Sequence, residues 1–270
     1  MDHGGAPGRL LIIGGAEDRC GGAGALERFV EECGGGTARI VLVTTATGRP
    51  EQVLASYRRV FRSLGVSRVS ELRISGRGNA DSDQAIAALN GATGVFFSGG
   101  DQSRLQTLVG SRINDQLRER LAAGLVIAGT SAGATALGRT MILGGNGAEV
   151  STATVRTAPG LSLMPRMLID MHFGERGRLP RLLSAVTLDP GRLGVGIDEN
   201  TAILAVQDSF EVLGAGVVTV VDAERATVVH AASDSDPITL FDVRMHLLPA
   251  GCRFDIGSRT PAIGPAHARY

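Results

Sequence analysis

Short apolar runs recur along the first half of the chain, each separated from the next by one amphipathic segment. This alternation limits the possible fold more than any other feature. Arg9-Leu10-Leu11-Ile12-Ile13 ends in Gly14-Gly15, and Ala25 to Glu32 follows with Leu26, Phe29 and Val30 on one helical face. Arg39-Ile40-Val41-Leu42-Val43 precedes a helix from Pro50 to Leu64. Ser70 to Ile74 precedes a helix from Asp81 to Leu89, opened by capping residues. Gly94-Val95-Phe96-Phe97 opens into Ser98-Gly99-Gly100-Asp101-Gln102 and another helix, and Leu125 to Ala128 makes a fifth strand. Strands that are apolar on both faces and joined through single helices predict a mostly parallel sheet covered on both sides. Ligands of such sheets bind at the carboxyl ends of the strands. Gly14-Gly15, Gly99-Gly100 and Ser131 all fall at such ends.

From Gly194 the texture changes. Gly194 to Val206, Glu211 to Val221, Thr227 to Ala232 and Thr239 to Leu248 read as successive strands with short turns, an antiparallel extension at one edge. No linker divides the chain, so one domain is expected over residues 1–270, with flexible ends at 1–8 and 260–270. Net charge is zero, and all 27 basic residues are Arg. Nothing in that balance calls for nucleic acid or an acidic membrane surface. Cys20, Cys33 and Cys252 have no metal-ligand spacing and fit a reducing compartment. Met1 to Gly8 lacks the pattern of a signal peptide, and no apolar run reaches membrane-spanning length. A soluble cytoplasmic protein is therefore expected.

Gly129-Thr130-Ser131-Ala132-Gly133 stands between the apolar run Leu125 to Ala128 and the helical Ala134-Thr135-Ala136-Leu137. In that context G-x-S-x-G lifts a serine hydroxyl to the top of a sheet on a sharp turn. The plain alternative is a glycine-rich turn whose serine caps a helix. A nucleophilic serine needs a base, and the base needs an orienting group. His3 and His267 lie near the ends, while His230 and His246 lie in the late strands. His172, in Ile169-Asp170-Met171-His172-Phe173, follows an apolar segment and is the best placed. For the orienting acid, Glu149 after Gly144-Gly145-Asn146-Gly147 and Glu199 in Asp198-Glu199-Asn200 both qualify. The oxyanion site would combine the Ala132 N–H with one from Gly99 or Gly100. Asp101 and Gln102 could face a ligand, with an N-cap as the alternative for Asp101. Arg176, Arg178 and Arg181 cannot share one helical face, yet one or two could clamp a carboxylate. The Rossmann glycine spacing, a Walker motif and a metal-ligand cluster are all absent from the sequence.

Taken in order, Gly14-Gly15-Ala16-Glu17-Asp18, Phe97-Ser98-Gly99-Gly100-Asp101-Gln102, Gly129 to Ala134, Met141-Ile142, Asp170 to Phe173 with Arg176, Arg178 and Arg181, and Gly196 to Ala202 resemble cyanophycinase. That family belongs with the aspartyl dipeptidases among serine peptidases whose fold is similar to class I glutamine amidotransferases. The resemblance implies a flavodoxin-like three-layer α/β sandwich with a mostly parallel central sheet and additional C-terminal antiparallel strands. It implies an exopeptidase that releases β-Asp-Arg dipeptides from cyanophycin, with no metal or organic cofactor, and a homodimer. Ser131 would be the nucleophile and His172 the base. Glu149 and Glu199 would compete as the acid, and Gln102, Asp170, Arg176, Arg178 and Arg181 would line the substrate pocket. Met171 stands where the family carries Gln, and Asp101 where it carries Asn. An aspartyl or isoaspartyl dipeptidase is the enzymatic alternative, and a non-catalytic peptide-binding homologue is the alternative of another class.

Overall fold

A computed structural model describes residues 7–19, 24–145, 149–229, 233 and 236–264. The first half alternates in order: β1 (Arg9–Ile13), α1 (Gly24–Glu32), β2 (Arg39–Val43), α2 (Pro50–Ser63), β3 (Arg68–Leu72), α3 (Arg77–Ala80), α4 (Asp83–Ala88) and β4 (Gly94–Phe97). A 3-10 segment at Gln102–Leu108 leads to α5 (Arg112–Ala122), β5 (Val126–Thr130) and α6 (Ala132–Thr135). Next come β6 (Thr140–Gly144), β7 (Arg156–Pro159), β8 (Met167–Met171), α7 (Leu179–Thr187), β9 (Leu193–Ile197) and β10 (Thr201–Val206). The chain finishes through β11 (Ser209–Gly214), β12 (Val217–Asp222), β13 (Thr227–Val229), β14 (Thr239–Phe241), β15 (Arg244–Pro249), β16 (Arg253–Asp255) and β17 (Thr260–Ala262).

Strands β3, β2, β4, β5 and β1 lie side by side and all run parallel. Antiparallel β10, β11, β16 and β17 extend this sheet beyond β1 to nine strands. A second sheet of six strands has the order β15-β12-β9-β8-β6-β7. The parallel pairs β6/β8 and β8/β9 form its middle. The chain is thus α/β, with mixed sheets built around parallel strands.

Period-two alternation explains how the layers stack. On β1, Leu11 and Ile13 point into one core with Leu26, Phe29, Tyr57 and Phe61 of α1 and α2. Leu10 and Ile12 point into the other, shared with Ile113 and Leu117 of α5 and with Ile169, Val195 and Val220 of the second sheet. Leu182, Ala185 and Val186 of α7 cover the far side of that sheet against Ile142, Leu168 and Val221. Pro50 starts α2 at a position whose N–H has no intrahelical acceptor, so its missing donor costs nothing there.

The helix expected from Asp81 to Leu89 is α4, which Ser82 caps by accepting the Ala85 N–H, and the short α3 precedes it. Three expectations need correction. The third strand lies two residues earlier than expected, because only β3's end, Leu72, is buried at this sheet edge. The late strands do not simply extend one edge. Gly194 to Val206 breaks at Asp198–Asn200, sending β9 to one sheet and β10 to the other, and Glu211 to Val221 breaks likewise into β11 and β12. Thr260–Ala262, expected in a flexible end, pairs with β16. Cys20, His3, His230 and His267 lie outside the described residues.

Candidate active site

The G-x-S-x-G segment makes the strand-to-helix reversal that its glycines allow. Ser131 sits between β5 and α6 with φ 51° and ψ −114°. A non-glycine residue held in such a conformation stores about 1–3 kcal/mol of strain. A Cβ on Gly129 would lie 2.5 Å from the Gly133 carbonyl oxygen, and one on Gly133 would lie 2.4 Å from that of Phe97. Both flanking positions therefore exclude any side chain. The turn also orders the helix start, with Ala134 and Thr135 N–H groups donating to the Ser131 carbonyl.

His172 follows β8 in the second sheet, at φ 49°. Its Nε2 lies 2.8 Å from Ser131 Oγ, and its Nδ1 lies 2.6 Å from Glu199 Oε1. Glu199 occupies the break between β9 and β10, so the strand division missing from the sequence reading is what delivers it. Glu149 does not reach the histidine. It is exposed, and its carbonyl accepts the Thr154 hydroxyl. Since Nδ1–H donates to the carboxylate, Nε2 is left as the acceptor for the serine hydroxyl. The imidazole is 12% exposed and Glu199 34%, so both hydrogen bonds of the ring are half-buried.

The pattern of Peptidase family S51 matches residues 10–213. The chain belongs to peptidase family S51. It is a serine-type peptidase, and its similarity to curated members extends well beyond the site. It is 38% identical to a cyanophycinase of Trichormus variabilis over 94% of this chain and 88% of that one. Identity is 35% to a cyanophycinase of Geminocystis herdmanii, over 94% and 96%. A peptidase from an acI-B1 Actinobacterium has the same fold, with TM-score 0.63 and 22% identity over 85% of this chain and 97% of the other.

Other residues singled out in the sequence divide into two groups. Ala132 is the first residue of α6, where an N–H has no acceptor in its own helix. Gly99 lies beside the serine, since a Cβ there would be 3.4 Å from Ser131 Cβ. At Gly100, with φ 147°, a Cβ would strike the Ala46 carbonyl oxygen, so only glycine fits there. Asp101 is the N-cap of the 3-10 segment, accepting from Ser103 N at 2.9 Å and Ser103 Oγ at 2.6 Å. The Ser103 hydroxyl, then its backbone N–H, holds the Asp101 carboxyl below its ordinary value. Gln102 donates its amide to the carbonyls of Ile142 and Leu143, tying the loop after β4 to the second sheet.

Asp170 and Arg181, expected at the substrate pocket, form a buried ion pair. Arg181 Nε donates to Asp170 Oδ2 at 2.9 Å, and its Nη2 donates to Oδ1. Two such groups leave water only when each satisfies the other. Arg178 donates to the Met171 carbonyl, and its Nη1 lies 3.1 Å from Met171 Sδ. Burial, partly offset by Asp170, pushes the Arg178 guanidinium down to about 10. Arg176 is exposed.

The sequence did not single out the residues that hold the acid's loop. Glu175 accepts the Glu199 N–H, and Asp198 accepts those of Gly174 and Val217. Asp-Glu-Asn after an apolar strand marks a turn, which is the signal that would have found them. Gly15 supports the ring from below, for a Cβ there would be 2.3 Å from His172 Cε1. A Gly15→Val variant is expected to lose about 1–3 kcal/mol of stability through overpacking. Its crystal structure should show the imidazole displaced from Ser131, and an unmoved ring would contradict this packing.

Proposed function

We propose that this peptidase is a serine exopeptidase that hydrolyses cyanophycin, multi-L-arginyl-poly-L-aspartate, to β-Asp-Arg dipeptides. Ser131 is the nucleophile, His172 the general base and Glu199 the group that orients it. The relay Ser131 Oγ–His172–Glu199, with separations of 2.8 and 2.6 Å, carries this reading. The identity shared with curated cyanophycinases supports the choice of substrate.

In this mechanism the Ser131 hydroxyl attacks the scissile carbonyl while His172 Nε2 takes its proton. Glu199 keeps the Nδ1 tautomer and stabilises the imidazolium that forms. The oxyanion accepts hydrogen bonds from the Ala132 and Gly99 N–H groups, fixed in place before the reaction by the elbow and the β4 loop. His172 then protonates the leaving amine. Water, deprotonated by the same nitrogen, resolves the acyl-enzyme. Arg176 and Arg178 pair with substrate carboxylate, Gln102 offers its amide oxygen, and the Asp170–Arg181 pair braces Arg178 from behind. We also read the enzyme as a cytoplasmic homodimer that works without a metal or organic cofactor.

Incubation of the purified chain with cyanophycin, followed by mass spectrometry, should reveal β-Asp-Arg, and Ser131→Ala should abolish it. Absence of dipeptide from folded parent protein would refute the substrate assignment. The Met171 contact with Arg178 favours one second reading, an aspartyl or isoaspartyl dipeptidase, because it commits part of a guanidinium that would otherwise face substrate. Preferential cleavage of short α- or β-aspartyl dipeptides would establish that reading. The two glutamates separate cleanly as well. Glu199→Gln is expected to lower kcat by roughly 10⁴-fold, as loss of a triad carboxylate does elsewhere. Glu149→Gln should stay within about twofold of the parent, and equal losses would overturn the assignment.

A further inference from the structure

Three successive carbonyls at the end of β1 accept hydrogen bonds from three different parts of the site. The Ile13 oxygen accepts the Ser131 N–H at 3.1 Å, that of Gly14 accepts the His172 N–H at 2.8 Å, and that of Gly15 accepts the Asn200 N–H at 2.9 Å. Asn200 directly follows Glu199, and its side-chain oxygen accepts the Asp18 N–H at 3.1 Å. The nucleophile, the base and the acid's neighbour thus come from β5, β8 and the β9–β10 turn, yet all register on one short stretch of backbone.

That stretch is fastened by Glu17, which is only 5% exposed. Its Oε2 accepts the Thr130 hydroxyl at 2.5 Å, one residue before Ser131. Its Oε1 accepts the Tyr57 hydroxyl at 2.5 Å and the Arg19 guanidinium at 3.0 and 2.7 Å. The Arg19 guanidinium also stacks over the Tyr57 ring at 4.4 Å. Burial, then the charge of Glu17, raises the Tyr57 hydroxyl well above its ordinary range, so it stays a donor. A buried carboxylate with four donors and a paired cation is costly to disturb, because the buried Thr130 and Tyr57 hydroxyls would lose the acceptor they share.

We infer that Glu17 and Thr130 are positioning residues: their hydrogen bond locks the β1 loop against the elbow and so sets the Ser131–His172 separation. Neither touches the reacting atoms. The inference needs only the serine–histidine pair of the proposed mechanism, not its substrate. A misplacement of about 1 Å by a residue away from the chemistry costs on the order of 10²-fold in rate.

The test uses the full chain with Thr130→Val, which keeps the shape and loses the donor, Thr130→Ser, which keeps the donor, and Glu17→Gln. Ser131 reactivity is read as the second-order rate of labelling by a fluorophosphonate, and thermal unfolding checks that each variant folds. Labelling should slow about 10²-fold in Thr130→Val and Glu17→Gln. Thr130→Ser should stay near the parent rate, and on any cleaved peptide the loss should fall on kcat with KM almost unchanged. Crystal structures of parent and Thr130→Val supply a readout free of activity, the Ser131 Oγ to His172 Nε2 distance, which should lengthen past hydrogen-bond range. Parental labelling in Thr130→Val, an equal loss in Thr130→Ser, or an unchanged Oγ–Nε2 distance would each overturn the inference. A parent chain that resists labelling would count against the peptidase mechanism, and the crystallographic distance would still decide the role of Glu17 and Thr130.

Discussion

Parallel pairing of β1 with β5 places Ile13 level with Thr130, and the site is built on that register. The two strands end side by side, so the loop leaving β1 and the elbow leaving β5 share one crevice. A slip of one residue would reverse which side chains enter each core. It would also shift Ser131 relative to the carbonyls that fix His172 and Asn200. The register is held by burial on both faces: Leu10 and Ile12 on one side, Leu11 and Ile13 on the other. Each such side chain contributes about 1.5–3 kcal/mol when fully buried. Core packing therefore fixes the geometry around Ser131 and His172.

The second consequence concerns the two sheets. Ser131 follows a strand of the nine-stranded sheet and His172 a strand of the six-stranded one, and Glu199, bonded to His172 Nδ1, lies where the chain crosses between them. Relative movement of the sheets would change the serine–histidine distance directly. Gln102, bonded from the first sheet's loop to β6, and the shared core between the sheets oppose that movement. The strained φ/ψ of Ser131 persists because the close approach of Gly129, Gly133 and Phe97 leaves the chain no roomier path.

Much of this was legible in the residues, for reasons that also explain the gaps. β1, β2 and β4 read at their observed limits because they are apolar on both faces, a pattern that owes nothing to distant parts of the chain. Ser131 and His172 could be named because each stands where a strand ends. The choice between Glu149 and Glu199 could not be made, since it depends on a turn that separates two strands belonging to different sheets. Gly194 to Val206 is apolar except for Asp198-Glu199-Asn200-Thr201, and only tertiary pairing turns that polar stretch into a crossing. The mutual pairing of Arg181 and Asp170 is hidden for a related reason, since nothing in the spacing shows that a buried carboxylate eleven residues earlier faces this arginine. Glu17 stands in the motif Gly14 to Asp18, but its bonds are not legible there, because its partners Thr130 and Tyr57 are remote in sequence.

The proposed mechanism requires Ser131 and His172 to act as one unit. A double-mutant cycle in peptide hydrolysis, comparing Ser131→Ala, His172→Ala and the pair, examines this most directly. Residues of a working dyad are strongly non-additive, and removing either costs about as much as removing both, roughly 10⁶-fold in kcat. The double variant is therefore expected to be no slower than either single one. Losses that multiply, or hydrolysis that survives His172→Ala, would contradict the mechanism.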